Sequence, residues 1–566
     1  MTFHRILPAA GAALLLSACV AVNGEVGRDL IPTNQQFDIY TIDIPLTDTQ
    51  LKMADNLSGY SSTRLTIGAI RDDVFGETTR GTAFSLFPLL DTIDFGKDPV
   101  VKRFHIAFAP DTVSVPSERD RYILQNVDVY ALTQPLDLEE NGTNNPPVFD
   151  ESKRISAGIP VYNGTDSLSF DFSKEFGERY INGIRKVARD GKILITREGA
   201  QPGDTVSIED YTAELPGVFI RIKPGAGNGG RINMFDLSCL TLVTESGTSY
   251  YLPNGNLARL RIESEYDGVR KDTTFVFVPG ETGFVNEDEA ITNRQRFAQY
   301  VFNYTGHETQ TREGVATGDI LVEGGGGLKP VIQASELRDK VRADIASRGG
   351  DPDKAVINDA TLYFTFEEPA DYLDLDLYPT TLSPTCQIED EDGDITFGGL
   401  PDAAASVENQ GGINRSLLRY QPDISWHLQE IVRLKESELD KIHNYDIWLL
   451  TVHDEIVESN TSSSYDQEYL QQMMYYQYLN SMYGGYGGYG YGGYGYGYGG
   501  YGYDSYGYSN YYNMMMLNAM YANTGSKTTT TATLDKDRYY KAILNGPDAD
   551  EKRRPRLTVT YSIPKE

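Results

Sequence analysis

The strongest constraint on the fold is a succession of short segments, roughly four to eight residues each, in which apolar and polar side chains alternate between clusters of Gly, Pro, Asn and Asp. Phe37–Ile44, Ile123–Leu132, Val218–Ile222, Cys239–Thr244, Leu257–Ile262 and Thr273–Val278 have this form. A period of two puts successive side chains on opposite faces of a pleated backbone, so each segment predicts a strand with one face buried. Phe176–Val187, Ala334–Ser347 and Ser425–Leu434 instead space their apolar residues by three and four, as one face of a helix does. The expected class is all-β with a few short helices. Hydrophobic residues make up 40% of the 566, enough for real cores, and the length suggests about three domains, or two large ones if they are all-β.

Four blocks recur in one order. Leu124–Tyr130 resembles Ile357–Tyr363, Ser169–Phe172 resembles Ser425–Leu428, Val218–Ile222 resembles Ile447–Thr451, and Leu240–Thr244 resembles Leu557–Tyr561. Their shared order predicts two tandem modules over 35–280 and 351–566, with 281–350 as the connection and the start of the second. Two packed sheets bury alternating inward side chains, so each module is expected to be a β-sandwich. Strand, helical segment and a closing strand at 554–561 that returns to the middle of a sheet point to jelly-roll-like modules. Immunoglobulin-like sheets are the runner-up and have no ready place for the helical segments.

The N-terminus reads as an export signal. His4 and Arg5 precede an apolar run from Ile6 to Leu16, and small residues lead to a cysteine. Leu16-Ser17-Ala18-Cys19 is similar to the bacterial lipobox, which predicts a signal peptide over 1–18, acyl chains on Cys19 and a tether over 19–34. An ordinary signal cut after Ala18 is the alternative. Each buried methylene of an acyl chain contributes about 0.8 kcal/mol, so several chains anchor firmly. No later segment approaches the ~20 apolar residues of a spanning helix. Of the three cysteines, Cys239 and Cys386 remain for one disulfide in an oxidising compartment, or for two unpaired buried thiols.

Charge and motifs narrow the partners. With 81 acidic against 50 basic side chains, the net charge of -31 disfavours nucleic acid, which is bound by Lys and Arg neutralising phosphate. His105, His307, His427, His443 and His453 fall in no nucleophile or metal motif, and no catalytic residue and no cofactor are expected. Two acidic clusters, Glu389–Asp394 and Asp371–Asp376, have the oxygens calcium wants but not EF-hand spacing, and read as solvated loops. Gly324–Gly327 lacks a Walker lysine and serine and reads as a hinge. Tyr483–Tyr508 is almost all Tyr and Gly, and predicts a long loop over about 458–530 inserted in the second module. Its tyrosines suit stacking on sugars or on like loops, and a tolerated low-complexity expansion fits as well.

With these residues in hand, the chain resembles a lipoprotein family of Gram-negative bacteria, the domain of unknown function family 4270. The resemblance rests on Asp29-Leu30-Ile31-Pro32 after the cysteine, on Ile67–Gly76 ending in Val74-Phe75-Gly76, on Ile332-Gln333-Ala334 ahead of Ile357–Ala360, and on the Leu-Thr-Val-Thr-Tyr terminus. It implies an outer-membrane lipoprotein, on the periplasmic or the surface face, with no assigned activity. The function expected is a non-enzymatic envelope or surface interaction protein, anchored in the membrane by its lipid. A glycan-binding module or glycosidase accessory, and an accessory subunit of an outer-membrane protein complex, are the alternatives.

Overall fold

The computed structural model describes residues 36–565 apart from 62–63, 91, 138–141, 190–192, 197–204, 238–239, 246–247, 254–255, 281–300, 390–394, 401, 403–410 and 459–527. Cys19, Cys239 and Tyr483–Tyr508 lie outside the described residues. The described chain is built from several antiparallel sheets of up to 14 strands and one short parallel pair, with a few short helices. The period-two segments are strands: Phe37–Pro45, Gln125–Leu132, Val218–Ile222, Leu240–Glu245, Ala258–Tyr266 and Val269–Gly280. The three helical patterns are helices, Lys174–Val187, Ala334–Ser347 and Ser425–Arg433. Ser173 caps the first by accepting from the Phe176 N–H, and Gly349, at φ 79°, closes the second in the left-handed conformation that glycine adopts freely.

The 14-stranded sheet gathers strands from Tyr60–Ser61 to Val301–His307. Residues 155–157 link Gln125–Leu132, next to one end of its main path, with Leu168–Phe172 at the other, since the Ile155 N–H donates to the Val129 carbonyl and the Ala157 N–H to that of Asp171. Helix Lys174–Val187 lies against it with Gly177 placed so that a Cβ would come 2.9 Å from Val101, which allows the close approach. Phe104, Phe172, Phe176, Tyr180 and Phe277 meet there at ring separations of 4.8–6.0 Å, the heart of the first core.

The second core draws on both ends of the chain. Strand Phe37–Pro45 pairs along its whole length with Arg556–Pro564, which in turn pairs with Val356–Thr365. The closing strand thus sits inside a four-stranded sheet, as the sequence suggested. Gln50–Met53 joins a seven-stranded sheet beside Leu328–Ile332, and Ile447–Glu458 pairs there with Thr381–Glu389 and Thr528–Leu534. Residues 37–53, read from sequence as the start of the first module, therefore belong with the C-terminal half. Val301–His307, read as connection, pairs with Gly76–Pro88 in the first sheet.

The internal repeat does not carry over to sheet position. Val218–Ile222 pairs directly with Gln125–Leu132, whereas their supposed counterparts, Ile447–Glu458 and Val356–Thr365, lie in different sheets. Ser169–Phe172 is strand while Ser425–Leu428 opens a helix, and Leu240–Glu245 pairs with Thr248–Pro253 in a two-stranded ribbon. Alternation encodes which face is buried and is silent on which strand lies alongside, so unrelated strands share a pattern.

One hairpin fastens the halves together. The tip between Arg64–Asp72 and Gly76–Pro88 carries Phe75, 1% exposed and seated in the second core rather than the first. Asp72 Oδ1 accepts from the Val74 and Phe75 N–H groups at 2.8 and 3.0 Å, Gly76 turns the chain at φ 69°, and Asp72 Oδ2 pairs with Lys541 Nζ at 2.7 Å. Truncation of a buried phenylalanine typically costs about 3–5 kcal/mol. Phe75→Ala is expected to lower the urea-unfolding free energy by roughly that amount, although Phe75 sits at a turn tip, and a loss under about 1 kcal/mol would remove the latch.

Candidate functional site

Where the two halves meet, the structure collects charged and polar side chains around the four glycines 324–327. Ile320–Glu323 and Leu328–Ile332 are buried strands, and the glycines turn the chain between them. Each glycine faces a different wall. A Cβ would come 2.5 Å from the Arg538 carbonyl at Gly324, 2.7 Å from both terminal guanidinium nitrogens of Arg80 at Gly325, 2.1 Å from Asn144 Oδ1 at Gly326, and 2.8 Å from the His307 ring at Gly327. Gly325 also sits at φ 56°. The run is thus a packed turn, and the hinge read from sequence is corrected: glycine is required here by close approach on every side.

Lys329 fills the turn from within. Its Nζ donates to the carbonyls of Glu323, Gly325 and Gly327 at 2.5, 2.9 and 3.0 Å, three acceptors for the three protons of an ammonium, and the residue is 0% exposed. Burial pulls its pKa down to about 7 against the attraction of Glu323. The Glu323 carboxylate, 2% exposed, accepts from His307 Nδ1 at 3.2 Å, from the Leu328 N–H at 3.1 Å and from the Thr309 hydroxyl, and despite burial these partners hold it below its usual range. Burial lowers the His307 pKa, so the imidazole there favours the neutral form.

Residues 535–541 supply the third wall. Asp535, 3% exposed, accepts from the Tyr540 hydroxyl at 2.7 Å and from the Arg538 N–H at 3.1 Å. Lys536 Nζ reaches the carbonyls of Ser58 and Tyr60 at 2.8 and 2.9 Å, tying this segment to the first sheet. Arg80, 1% exposed on Gly76–Pro88, lies over Gly325.

The other sequence candidates lie apart. Cys386 is a free, buried thiol with Sγ 3.6 Å from His427 Nε2, which also donates to the Tyr445 carbonyl at 2.9 Å. Burial raises the thiol pKa well above normal and lowers the imidazole to about 4, so the pair is neutral, opposite to an activated thiolate and imidazolium. His105 bonds Asp171 at 2.6 Å on the sheet surface and His443 stands 3.6 Å from Glu389. His453 Nδ1 is 3.5 Å from Asp535 at the edge of the junction. In the Asp371–Asp376 cluster, Asp371 caps the turn by accepting from the Leu373 N–H at 3.0 Å and Asp376 pairs with Arg415 at 3.0 Å. Asp390–Asp394 lie outside the described residues. Among the described residues no group of three His, Cys, Asp or Glu is placed to hold a metal ion. Trp426 is 64% exposed on the first turn of helix Ser425–Arg433, while Trp448 is buried against Phe397.

Sequence reasoning singled out His307 and the glycines but missed Arg80, Glu323, Lys329, Lys536 and Asp535. The signal for two of them was present: Glu323 and Lys329 flank the glycine run inside otherwise apolar strands, an unusual place for charge. Compared with known protein families, curated proteins and solved structures, the chain shows no match to any.

Lys329 also gives the site a pH signature. Its folded pKa, about 7, lies below the 10.5 of a free lysine, so above pH 7 the unfolded chain holds a proton that the folded chain has shed. Stability contributed by this group therefore rises with pH from about 7 towards 10. Urea titrations should show this rise as an excess over Lys329→Met, in which that part of the slope is lost; equal slopes would refute it.

Proposed function

We propose that the chain is a non-enzymatic lipoprotein, held at the outer membrane by acyl chains on Cys19 and acting by contact with other components of the envelope or surface. The observation that carries this reading is Leu16-Ser17-Ala18-Cys19 behind a basic start and an apolar run. Residues 20–35 reach at most roughly 55 Å when extended, which keeps the folded part close to its anchor. The fold that begins at Phe37 is locked at once, because that strand pairs with Arg556–Pro564 along nine residue positions. No helix among the described residues is long and apolar enough to cross a bilayer.

In this reading the two hydrophobic cores belong to two sandwich-like modules of jelly-roll kind, with the closing strand in mid-sheet as support and with residues 37–53 donated to the second module. The neutral, buried state of Cys386 and His427 supports a role in contact rather than thiol chemistry. The family resemblance to uncharacterised outer-membrane lipoproteins points the same way. Glycan binding is the second reading, and the exposed indole of Trp426 is the observation that favours it, since a flat apolar ring in solvent suits stacking on a sugar.

Expression of the full chain in a Gram-negative host tests the anchor. The native chain should fractionate with the outer membrane and its N-terminal peptide should carry acyl mass at Cys19. Cys19→Ala should move to the soluble envelope fraction without acyl mass. A native chain lacking fatty acid would overturn the proposal.

A further inference from the structure

Strand Phe37–Pro45 lies at the edge of its four-stranded sheet, paired with Arg556–Pro564 on one side and with no strand on the other among the described residues. In an antiparallel pair, every second residue turns its N–H and C=O towards the neighbour. The flanking bonds run from the Lys565 N–H to the Gln36 carbonyl and from the Leu46 N–H to that of Pro555, so the even-numbered residues serve Arg556–Pro564. Phe37, Ile39, Thr41, Asp43 and Pro45 therefore aim their backbone groups at the open edge. Lys340 Nζ reaches the Pro45 carbonyl at 3.3 Å and closes that end, which leaves 37–43 open. The side chains of the same four residues face solvent, Phe37 at 49% and Ile39 at 66% exposure. Proteins blunt such an edge with lysine, an internal proline or a bulge. Here the register runs unbroken over nine positions and none of these interrupts the strand before Pro45.

We infer that this open edge pairs with the same edge of a second copy of the chain, antiparallel about a two-fold axis at Ile39. A two-fold axis makes a strand meet itself antiparallel, and the residues with open backbone groups must fall opposite one another. Side chains select among the axes that allow this. An axis at Asp38 would set two carboxylates face to face, and axes at Tyr40 or Thr41 would set Asp43 against Phe37 or Ile39. The axis at Ile39 sets Ile39 against Ile39 and Phe37 against Thr41. On the other face of the sheet it brings Asp38 of one copy opposite Tyr40 of the other, and Arg348 lies over that ring at 4.5 Å from its centre. Charge is thus complementary across the junction, twice by symmetry. The four strands of each copy then form one continuous sheet. So short a contact buries less than a permanent dimer needs, so the pairing is reversible and gains from whatever raises the local concentration. Acyl chains on Cys19 would do so by holding copies in one plane, but the pairing does not rest on that anchor.

The test uses the full chain, purified and concentrated, with the acyl mass at Cys19 read on the same sample so that failed pairing and failed anchoring are told apart. Under mild oxidation Ile39→Cys should run as a disulfide-linked dimer, because the axis holds the two Cα atoms of that position about 5.5 Å apart, within disulfide reach. Asp43→Cys, exposed on the same edge but far from the axis, should stay monomeric. Adding Thr41→Pro to Ile39→Cys removes an N–H of the open edge and no backbone bond to Arg556–Pro564, so the dimer should be lost with the circular dichroism spectrum unchanged. If the proline disturbs the fold, the comparison of the two cysteine positions still decides. Equal cross-linking at positions 39 and 43, no dimer from Ile39→Cys, or a dimer that survives Thr41→Pro in a folded chain would overturn the inference.

Discussion

A lysine ammonium held by three backbone carbonyls is the constraint on which the rest of the molecule depends. The cup exists because four consecutive glycines let the chain turn inside the protein while Arg80, Asn144, His307 and residues 538–540 press on it from outside. A Cβ in that run meets the Arg538 carbonyl, the Arg80 guanidinium, the Asn144 amide or the His307 ring at a distance that real contacts do not show. The first sheet, the C-terminal half and residues 535–541 are thereby brought to one point, and their relative placement is set by hydrogen bonds of fixed length rather than by interchangeable apolar contacts.

Charge at such a place is expensive, and its value lies in specificity. Removing ions from water costs several kcal/mol each even after relaxation, and mutual attraction only partly offsets it, so a buried ion cluster is a poor source of net stability. Its asymmetry matters more. Loss of one member leaves the others desolvated and unpaired, a penalty of about 3–5 kcal/mol, so misdocked arrangements of the two halves are strongly disfavoured. The apolar latch at Phe75 works differently: it contributes burial that tolerates small shifts, while the Asp72–Lys541 pair beside it fixes the register.

Much of this was legible in the sequence, and what was not has a physical reason. Period-two alternation found the strands because one face of each is buried. The helix Ala334–Ser347 matched end to end because its apolar stripe stops just before Arg348-Gly349-Gly350, where a left-handed glycine must end it. Alternation could not say that Phe37–Pro45 lies beside Arg556–Pro564, since pairing across more than 500 residues leaves no local trace. The same blindness made four pairs of segments that occupy different places in the sheets look like an internal repeat. The glycine run was seen but misread, because glycine serves both for freedom and for close packing, and its two charged neighbours, Glu323 and Lys329, were the sign that decides between them. Arg80 sits in Thr79-Arg80-Gly81, where nothing local distinguishes a buried arginine from an exposed one.

If the junction joins the halves as described, the described cores cannot unfold separately, despite each having its own hydrophobic cluster. Differential scanning calorimetry of the full chain measures this directly. A single transition whose calorimetric and van't Hoff enthalpies agree is the predicted result; two resolved transitions, one for each core, would contradict the account.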